Sequence, residues 1–579
     1  MSSVPAVNRH DLMTVILEDY FHVGALKGLI GPHQWPRFEA RFEQNTLKTL
    51  DLLKRFDVKA TFFILGWVAE QCADLVAEIA RQGHEIANYG FYHRDVRQMT
   101  REEFREDARR SRDALELAAG QRVIGFRIPQ GLRTVDDHWV LDVLAEEGYA
   151  YDSSVVPFMR GEHANRYPYV HKGSSGSLYE FPHTSLSLLG YAMPISGGNY
   201  IRQIPYTLLR PAVAWWKKQH DVPFMIYCHV WELDPDLPRI SAASLLTRAR
   251  QYRNLDKMLW VLEENFTKYK FGTVADYIGC PTDASAPPVE KGANPVVIEA
   301  EPTPGVPRRP VTLVVPCFNE RPALPYLANT LESVRRLLDR DYDLRFVFVD
   351  DCSTDDTGDI LQRLFGKRDD CRILRHEKNL GVAAAILTGI RHAQTEIVCS
   401  IDCDCTYDPH ELVRMIPLLT DDVDLVTASP YHPAGSVMNV PGWRLFLSKG
   451  ASRLYGKVLH HKLSTYTSCF RVYRRSSVVD LELQELGFLG VAETLGVMDL
   501  KGYRIREFPT TLHVRILGQS KMKVVRNIVG HLRNLWRMWN MRHLVERNRQ
   551  IILEERGLAR SLPETVAQPT NTKKENLSK

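Results

Sequence analysis

The sequence predicts an α/β protein in two parts, an N-terminal irregular (β/α) barrel and a C-terminal open, mostly parallel sheet. Three observations predict it. Short apolar runs of strand length alternate with helix-period segments from residue 12 to about 280. Residues 281–310 break that pattern with eight prolines and almost no apolar periodicity, as a semi-extended connector between independent units would. The alternation resumes at 311 and reaches a strand that ends in two aspartates, Asp402 and Asp404. Parallel strands joined by helices place a site at the strands' carboxyl ends.

Size and composition set outer bounds. At 579 residues the chain is too long for one core. With 44% hydrophobic and 25% charged residues and a mean hydropathy of −0.26, it has the make-up of a soluble globular protein. A net charge of +4, with no basic run interleaved with aromatics, excludes nucleic acid as a partner. Ten cysteines without CxxC pairs read as reduced thiols in a cytoplasmic protein. Cys399, Cys403 and Cys405 have no His or CxxC companion and are expected to be small buried residues. Residues 1–13 lack an apolar signal core, and no window is apolar enough to span a bilayer.

In the first part, a strand over 13–17 ends at Glu18-Asp19-Tyr20-Phe21-His22. Leu47, Leu50, Leu53 and Phe56 share one helical face, and a second strand follows over 60–65. The helix through Leu75, Val76 and Ile79 is closed by Gly83. A capping box at Thr100 and Glu103 opens another helix. Further strands are read at 123–126, 224–229 and 271–274.

These strand ends, in order, resemble the polysaccharide deacetylase family of the NodB type, in its exopolysaccharide branch. The matching pieces are Glu18 to His22, Lys59 to Phe63, Gly83 to Ile86, Gly125 to Pro129, Tyr151 to Ser154 and His229 to Pro235. The resemblance implies the barrel fold, a divalent metal held by one Asp and two His, and a further Asp as base. This chain departs from that pattern. Ile16 stands where the family has Asp, and Tyr89 stands at the first His of His-x-x-x-His, leaving His93. A neutral phenol, with an unperturbed pKa of about 10, is a poor ligand. His93 with a carboxylate from Glu18 or Asp19 falls short of the three ligands a catalytic zinc needs. Zn²⁺ is therefore not expected in the barrel. The alternative is that Glu18, Asp19 and His93 rebuild a metal site of other geometry. Arg127, Asp152 and His229 persist, which implies a groove that still recognises sugar.

In the second part, a strand over 311–315 runs into Pro316, Asn319 and Glu320, and Leu324, Leu327, Leu331, Val334 and Leu338 keep helical spacing. A strand over 344–349 ends at Asp350-Asp351, and Asn379-Leu380-Gly381 opens a small-residue helix over 382–393. Residues 397–401 form the strand before Asp402 and Asp404. Alternation puts those two carboxylates on one side of the chain. Hard oxygen ligands of this kind suit Mg²⁺ or Mn²⁺ with positions left for phosphates.

Taken together these pieces resemble family 2 glycosyltransferases of the GT-A fold, over residues 311 to about 545. The resemblance implies that Pro316, Asn319, Glu320, Asp350, Asp351, Asn379 and Gly381 line the nucleotide-sugar pocket. It also implies that Asp402 and Asp404 hold the metal. Thr467 to Arg474 and Arg515 to Lys521 resemble the polyprenyl-phosphate branch, which includes dolichol-phosphate mannosyltransferase. On that likeness Arg471, Arg515, Ser520 and Lys521 would hold an acceptor phosphate. Without it the 515–521 segment reads as a basic surface loop. Glu493 is the best-placed carboxylate for a catalytic base.

Residues 522–545 contain no Asp or Glu, and Val525, Ile528, Val529, Leu532, Leu535, Trp536 and Trp539 form an apolar stripe. Such a helix either lies in an anionic membrane interface or packs on the core. The expected organisation is a barrel at 10–280, a connector at 281–310, a transferase domain at 311–521, a basic amphipathic helix at 522–548 and a polar tail at 549–579. The expected function is sugar transfer from a nucleotide sugar to a polyprenyl-phosphate or saccharide acceptor. It would take place in the cytoplasm, with peripheral contact on the inner face of the plasma membrane. The alternatives are a bifunctional deacetylase–transferase and a barrel that serves as a glycan-binding module.

Overall fold

The computed structural model describes residues 4, 6–157, 166–173, 176–188, 191–280, 282, 308–518 and 524–555. They divide into two compact units, one built mainly from residues up to 280 and the other mainly from residues after 308. Most of the expected connector, and the tail beyond 555, lie outside the described residues.

The first unit is the expected irregular barrel. Its strands are β1 (Asp11–Leu17), β2 (Thr61–Ile64), β3 (Glu85–Asn88), β4 (Gly125–Phe126), β5 (Tyr151–Asp152), β6 (Tyr169–Lys172), β7 (Ser177–Glu180), β8 (Ser185–Leu188), β9 (Tyr191–Pro194), β10 (Met225–His229) and β11 (Phe271–Gly272). They pair in the order β10-β1-β2-β3-β4-β5-β7-β6, with β11 on β1 and β8-β9 as a separate hairpin. From β10 to β7 the neighbours are parallel, and only β6 runs antiparallel. β1 is buried along its whole length, as a strand covered on both faces must be. The capping box forms as expected, with Thr100 Oγ1 accepting from Glu103 N at 3.2 Å and Glu103 Oε2 from Thr100 N at 2.8 Å. One expectation fails in the helix Phe42–Arg55: Leu47 is 49% exposed. Its buried face uses Asn45, Thr46 and Thr49 beside Leu50 and Leu53, so apolar spacing alone mis-set the stripe.

The second unit holds β12 (Arg309–Cys317), β13 (Tyr342–Asp350), β14 (Cys371–Arg375), β15 (Ile397–Ser400), β16 (Leu425–Ser429), β17 (Ser436–Met438), β18 (Arg471–Arg474), β19 (Ile505–Pro509) and β20 (Thr511–His513). Seven of them form one sheet in the order β14-β13-β12-β15-β18-β16-β19. Only β18 is antiparallel to its neighbours, which makes the sheet open and mostly parallel. The chain order reverses beside β12, with β13 on one side and β15 on the other. Open α/β sheets bind ligands at such a switch point.

The helix Val382–His392 lies against this sheet. Its small residues permit a close approach: a Cβ on Gly389 would lie 2.2 Å from Val314 Cγ1 on β12. The helix Val524–Glu555 runs past its expected end at 548. Leu535 and Met538 enter the core beside Tyr455, Leu495 and Met498. Among the described residues no helix is long and apolar enough to cross a membrane.

The Gly389 contact gives a stability prediction. Gly389→Ala should destabilise the unit by about 1–3 kcal/mol through overpacking, although Ala is the better helix former by about 1 kcal/mol. A lower denaturation midpoint with unchanged slope is expected; an equal or higher midpoint would contradict the packing.

Candidate functional site

In the barrel, Glu18 follows β1 directly, His93 follows β3, Arg127 follows β4, and Asp152 and His229 end β5 and β10. The strand ends bring Glu18, His93 and His229 together. Glu18 is 1% exposed, with Oε2 3.2 Å from His93 Nε2 and Oε1 2.9 Å from His229 Nδ1. Burial alone would raise the Glu18 carboxyl, but the two imidazoles outweigh it and hold the group well below the usual carboxylate range. Burial lowers His229, while contact with Glu18 and its charge raise it more, so the imidazole ends above its ordinary 6.5. His93 also has a positive φ of 54°, a strained backbone for a residue with a side chain.

The other expected barrel residues face elsewhere. Asp19 accepts from the backbone N–H groups of Tyr20, Arg41 and Phe42 at 2.9, 2.6 and 3.0 Å. Burial pushes its carboxyl up to about 7, against those three donors. It is a loop anchor and does not join Glu18 and His93 in a rebuilt metal site. Arg127 is buried, donating to Ser153 O, Thr14 Oγ1 and Ser153 Oγ at 3.0, 3.0 and 2.9 Å, with its guanidinium 4.1 Å from the Phe63 ring centre. Asp152 is buried too, holding Ser154 through N and Oγ beside the Glu180 carboxyl, which burial and Asp152 keep protonated. The expectation that Arg127 and Asp152 meet sugar is therefore corrected: both are internal braces.

Among the described residues no group of three or more His, Cys, Asp or Glu is placed to hold a metal ion; Ile16 offers no ligand, and burial raises the Tyr89 phenol well above its ordinary value.

In the second unit the candidate residues gather at the carboxyl ends of three adjacent strands, β13, β12 and β15. Asn319, Cys352 and Cys405, each just beyond one of these ends, all have positive φ, at 51°, 61° and 51°. Three strained positions at neighbouring strand ends mark a functional site. Asn319 Oδ1 accepts from Thr354 N at 2.7 Å, while its own N–H donates to Ser353 Oγ at 2.9 Å. Glu320 is buried, its N–H donating to Thr357 Oγ1 at 2.8 Å, and Pro316 is half-buried. Asp350 is 1% exposed; Oδ1 accepts from Ser353 N at 2.9 Å, and Oδ2 lies 3.5 Å from Arg375 Nε.

Asp351 differs. Oδ1 accepts from Leu380 N and pairs with His376 Nδ1 at 2.8 and 2.7 Å, and Oδ2 accepts from Gly381 N at 2.7 Å. The carboxylate shapes the pocket from behind; it does not line it. Exposed Asn379 donates to Asp351 O at 3.2 Å. Gly381 needs its φ of 105°, and a Cβ there would meet Gly487 Cα at 2.7 Å.

Asp402 and Asp404 are half-exposed, while Cys403 and Cys405 between and after them are buried. Asp402 to Cys405 form a turn, Cys405 N donating to Asp402 O at 3.1 Å, and this donor set fits a divalent cation that prefers oxygen. All ten cysteines are free, with Cys403 Sγ 3.8 Å from Cys317 Sγ.

Three stretches of the chain match known families. Residues 33–151 match Polysaccharide deacetylase, residues 153–279 a domain of unknown function (DUF3473), and residues 312–481 Glycosyl transferase family 2. The chain joins a polysaccharide deacetylase domain to a family 2 glycosyltransferase domain. Its transferase domain is similar to dolichol-phosphate mannosyltransferase of Pyrococcus furiosus, at 28% identity over 242 residues, 41% of this chain and 66% of the relative. It is equally similar, at 28% over 224 residues, to polyprenol monophosphomannose synthase of Mycolicibacterium smegmatis, covering 37% of this chain and 82% of that one. Among solved structures, a CE4 family pseudoenzyme from Bacillus anthracis aligns at 14% identity and a TM-score of 0.25, over 47% of this chain and 66% of that chain.

Within the transferase domain two expectations are corrected. Arg471 is fully buried and donates to Val491 O and Tyr466 O at 2.8 and 2.9 Å, so it braces the sheet and does not meet an acceptor phosphate. Glu493 is 3% exposed, accepting from Gln484 N and Glu485 N at 3.1 and 2.8 Å and pairing with Arg537 Nη2 at 2.7 Å. A carboxylate so supplied with donors is no base. Arg515 is half-buried and groups with the first unit, and Ser520 and Lys521 lie outside the described residues. Sequence reasoning missed His376 and Thr357, which hold the loops; Ser353, in a stretch that reads as a turn and helix start, carries a signal.

The Glu18 pair predicts a pH response. Glu18, lowered from 4.5, contributes stability above that value and loses it as pH falls. His229, raised from 6.5, contributes below that value and loses it as pH rises through its own higher pKa. In an NMR titration His229 should therefore titrate above 6.5 in the native protein and lower in Glu18→Gln, where burial is opposed by the Glu232 charge without Glu18. An unchanged midpoint would break the assignment.

Proposed function

We propose that this protein is a bacterial inverting glycosyltransferase. It moves a sugar from a nucleotide sugar to a polyprenyl-phosphate or glycan acceptor in surface polysaccharide or glycolipid synthesis. Its deacetylase domain no longer deacetylates. The observation that carries the reading is the convergence of Asp350, Asn319 and the Asp402–Asp404 pair on three adjacent strand ends. The loop fixed by Asp351 and His376 presents Asn379 and the start of the helix Val382–His392, whose N-terminal dipole favours phosphate. Asp402 and Asp404 would hold Mg²⁺ or Mn²⁺, which supplies electrostatic relief as charge grows on the leaving diphosphate. The relatives' names support a polyprenyl-phosphate acceptor. An acceptor phosphate is already ionised and requires no base, which agrees with an internal Glu493. The same reading places the protein peripherally on the inner face of the plasma membrane.

Asp404→Ala should cut nucleoside diphosphate release by more than about a hundredfold, since a metal contact supplies several kcal/mol. Near-native turnover in that variant, or full turnover in excess chelator, would sink the assignment.

The barrel has its own test. Purified full-length protein should hold no stoichiometric zinc and release no acetate from an N-acetylated oligosaccharide. Either one, retained when Asp402 and Asp404 are both replaced by Ala, would make the protein bifunctional.

A further inference from the structure

The helix Val524–Glu555 is packed and exposed at once. Its inner face is tied to the transferase domain by Leu535 and Met538, by Asn534 Nδ2 donating to Tyr455 Oη at 3.0 Å, and by Arg542 Nη1 donating to Val458 O at 2.9 Å. The opposite face leaves Val529, Leu532, Trp536 and Trp539 between 50% and 67% exposed. Their spacing of three, four and three residues makes a single stripe turned away from the core. Two of its arginines are paired: Arg533 with Glu485, and Arg537 with Glu493.

The charge comes from a neighbour. The helix Gly442–Val458 lies alongside, its Tyr455 Oη 3.1 Å from His531 Nδ1. Tyr455 and Ser452 are buried, while Trp443 and Phe446 are 51% and 77% exposed on the opposite side. Lys449, Arg453 and Lys457 are exposed on that same side, and the helix contains no acidic residue. Met438, at the end of β17 just before this helix, adds a further exposed apolar side chain at 49%.

We propose that the helices Gly442–Val458 and Val524–Glu555 together form one face that docks on an anionic lipid surface. The terminal helix supplies tryptophans for the headgroup level, and the inner helix supplies Trp443, Phe446 and the cations. An acidic protein partner fits less well. Large exposed apolar side chains, three of them Trp, together with exposed cations are what an interface between headgroups and acyl chains accepts. The inner helix leads by chain continuity to β18, which pairs with β15, the strand that ends at Asp402 and Asp404. Docking would therefore hold the transfer site at the lipid phase. In that purpose the proposal rests on the membrane-borne acceptor reading above.

Co-sedimentation of the full chain with vesicles tests it. Wild type should pellet with phosphatidylcholine vesicles containing phosphatidylglycerol, bind pure phosphatidylcholine less, and be partly released by salt. Trp443→Ser with Phe446→Ser should weaken binding about tenfold or more, and Trp536→Ser with Trp539→Ser similarly. Lys449→Gln with Lys457→Gln should remove the preference for phosphatidylglycerol while sparing the remaining binding. If the Trp443/Phe446 variant pellets like wild type, the inner helix plays no part and the proposal falls. It also falls if that variant instead dissolves a dimer seen by light scattering, since the face would then bind a second copy. Nucleoside diphosphate binding measured without vesicles should be unchanged in all variants; its absence in wild type would refute the transferase reading, not the lipid face.

Discussion

Asp351 accepts hydrogen bonds from Leu380 N and Gly381 N and pairs with His376, whose other nitrogen is 3.0 Å from Thr388 Oγ1. One buried carboxylate thereby ties the end of β13, the loop after β14 and the first turn of the helix Val382–His392. Neighbouring strand ends in a parallel sheet lie about 4.8 Å apart, but their loops have no ladder to fix them. Without a shared acceptor, Asn379 and the helix start would have no set position relative to Asp350. The left-handed residues at Asn319, Cys352 and Cys405 indicate how tightly these turns are drawn. Each costs of order 1 kcal/mol or more, met by hydrogen bonds such as those from Ser353 and Thr357.

The barrel uses a buried carboxylate in another way. Glu18 stands at the end of a strand buried on both faces, where an ionised group without compensation would be costly. Two imidazoles from β10 and the loop after β3 compensate it, and its charge in turn keeps His229 raised against burial. Removing either partner leaves an unpaired buried charge. Arg127 is satisfied by hydroxyls and a carbonyl over the Phe63 ring, so it does not face a groove.

The two-part α/β organisation was legible because periodicity and strand-end motifs are local. The in-and-out burial expected from Asp402 to Cys405 is present, but a turn with Cys405 N donating to Asp402 O produces it, not strand alternation. Side-chain roles were less legible. Arg471, Glu493, Arg127 and Asp152 are charged residues in motif positions, and a sequence shows their charge without their exposure. Each proves to be buried with its partners in the interior, such as Arg537 for Glu493. Leu47 failed for the same reason, since Asn45, Thr46 and Thr49 fill a buried face that polarity alone would turn to solvent.

The terminal helix shows why a choice between core and membrane was too narrow. A helix with apolar residues over more than half its circumference has two faces to satisfy. Leu535 and Met538 satisfy one, each worth about 2 kcal/mol of burial, and ion pairs from Arg533 and Arg537 fix the rotation. That rotation forces Trp536 and Trp539 outward. The apolar residues left over are then a consequence of the packing, and a stripe this large on a protein surface needs a partner phase. With Arg533 and Arg537 paired to glutamates, the stripe's attraction to an anionic surface draws also on the exposed Lys449, Arg453 and Lys457 of the adjoining helix.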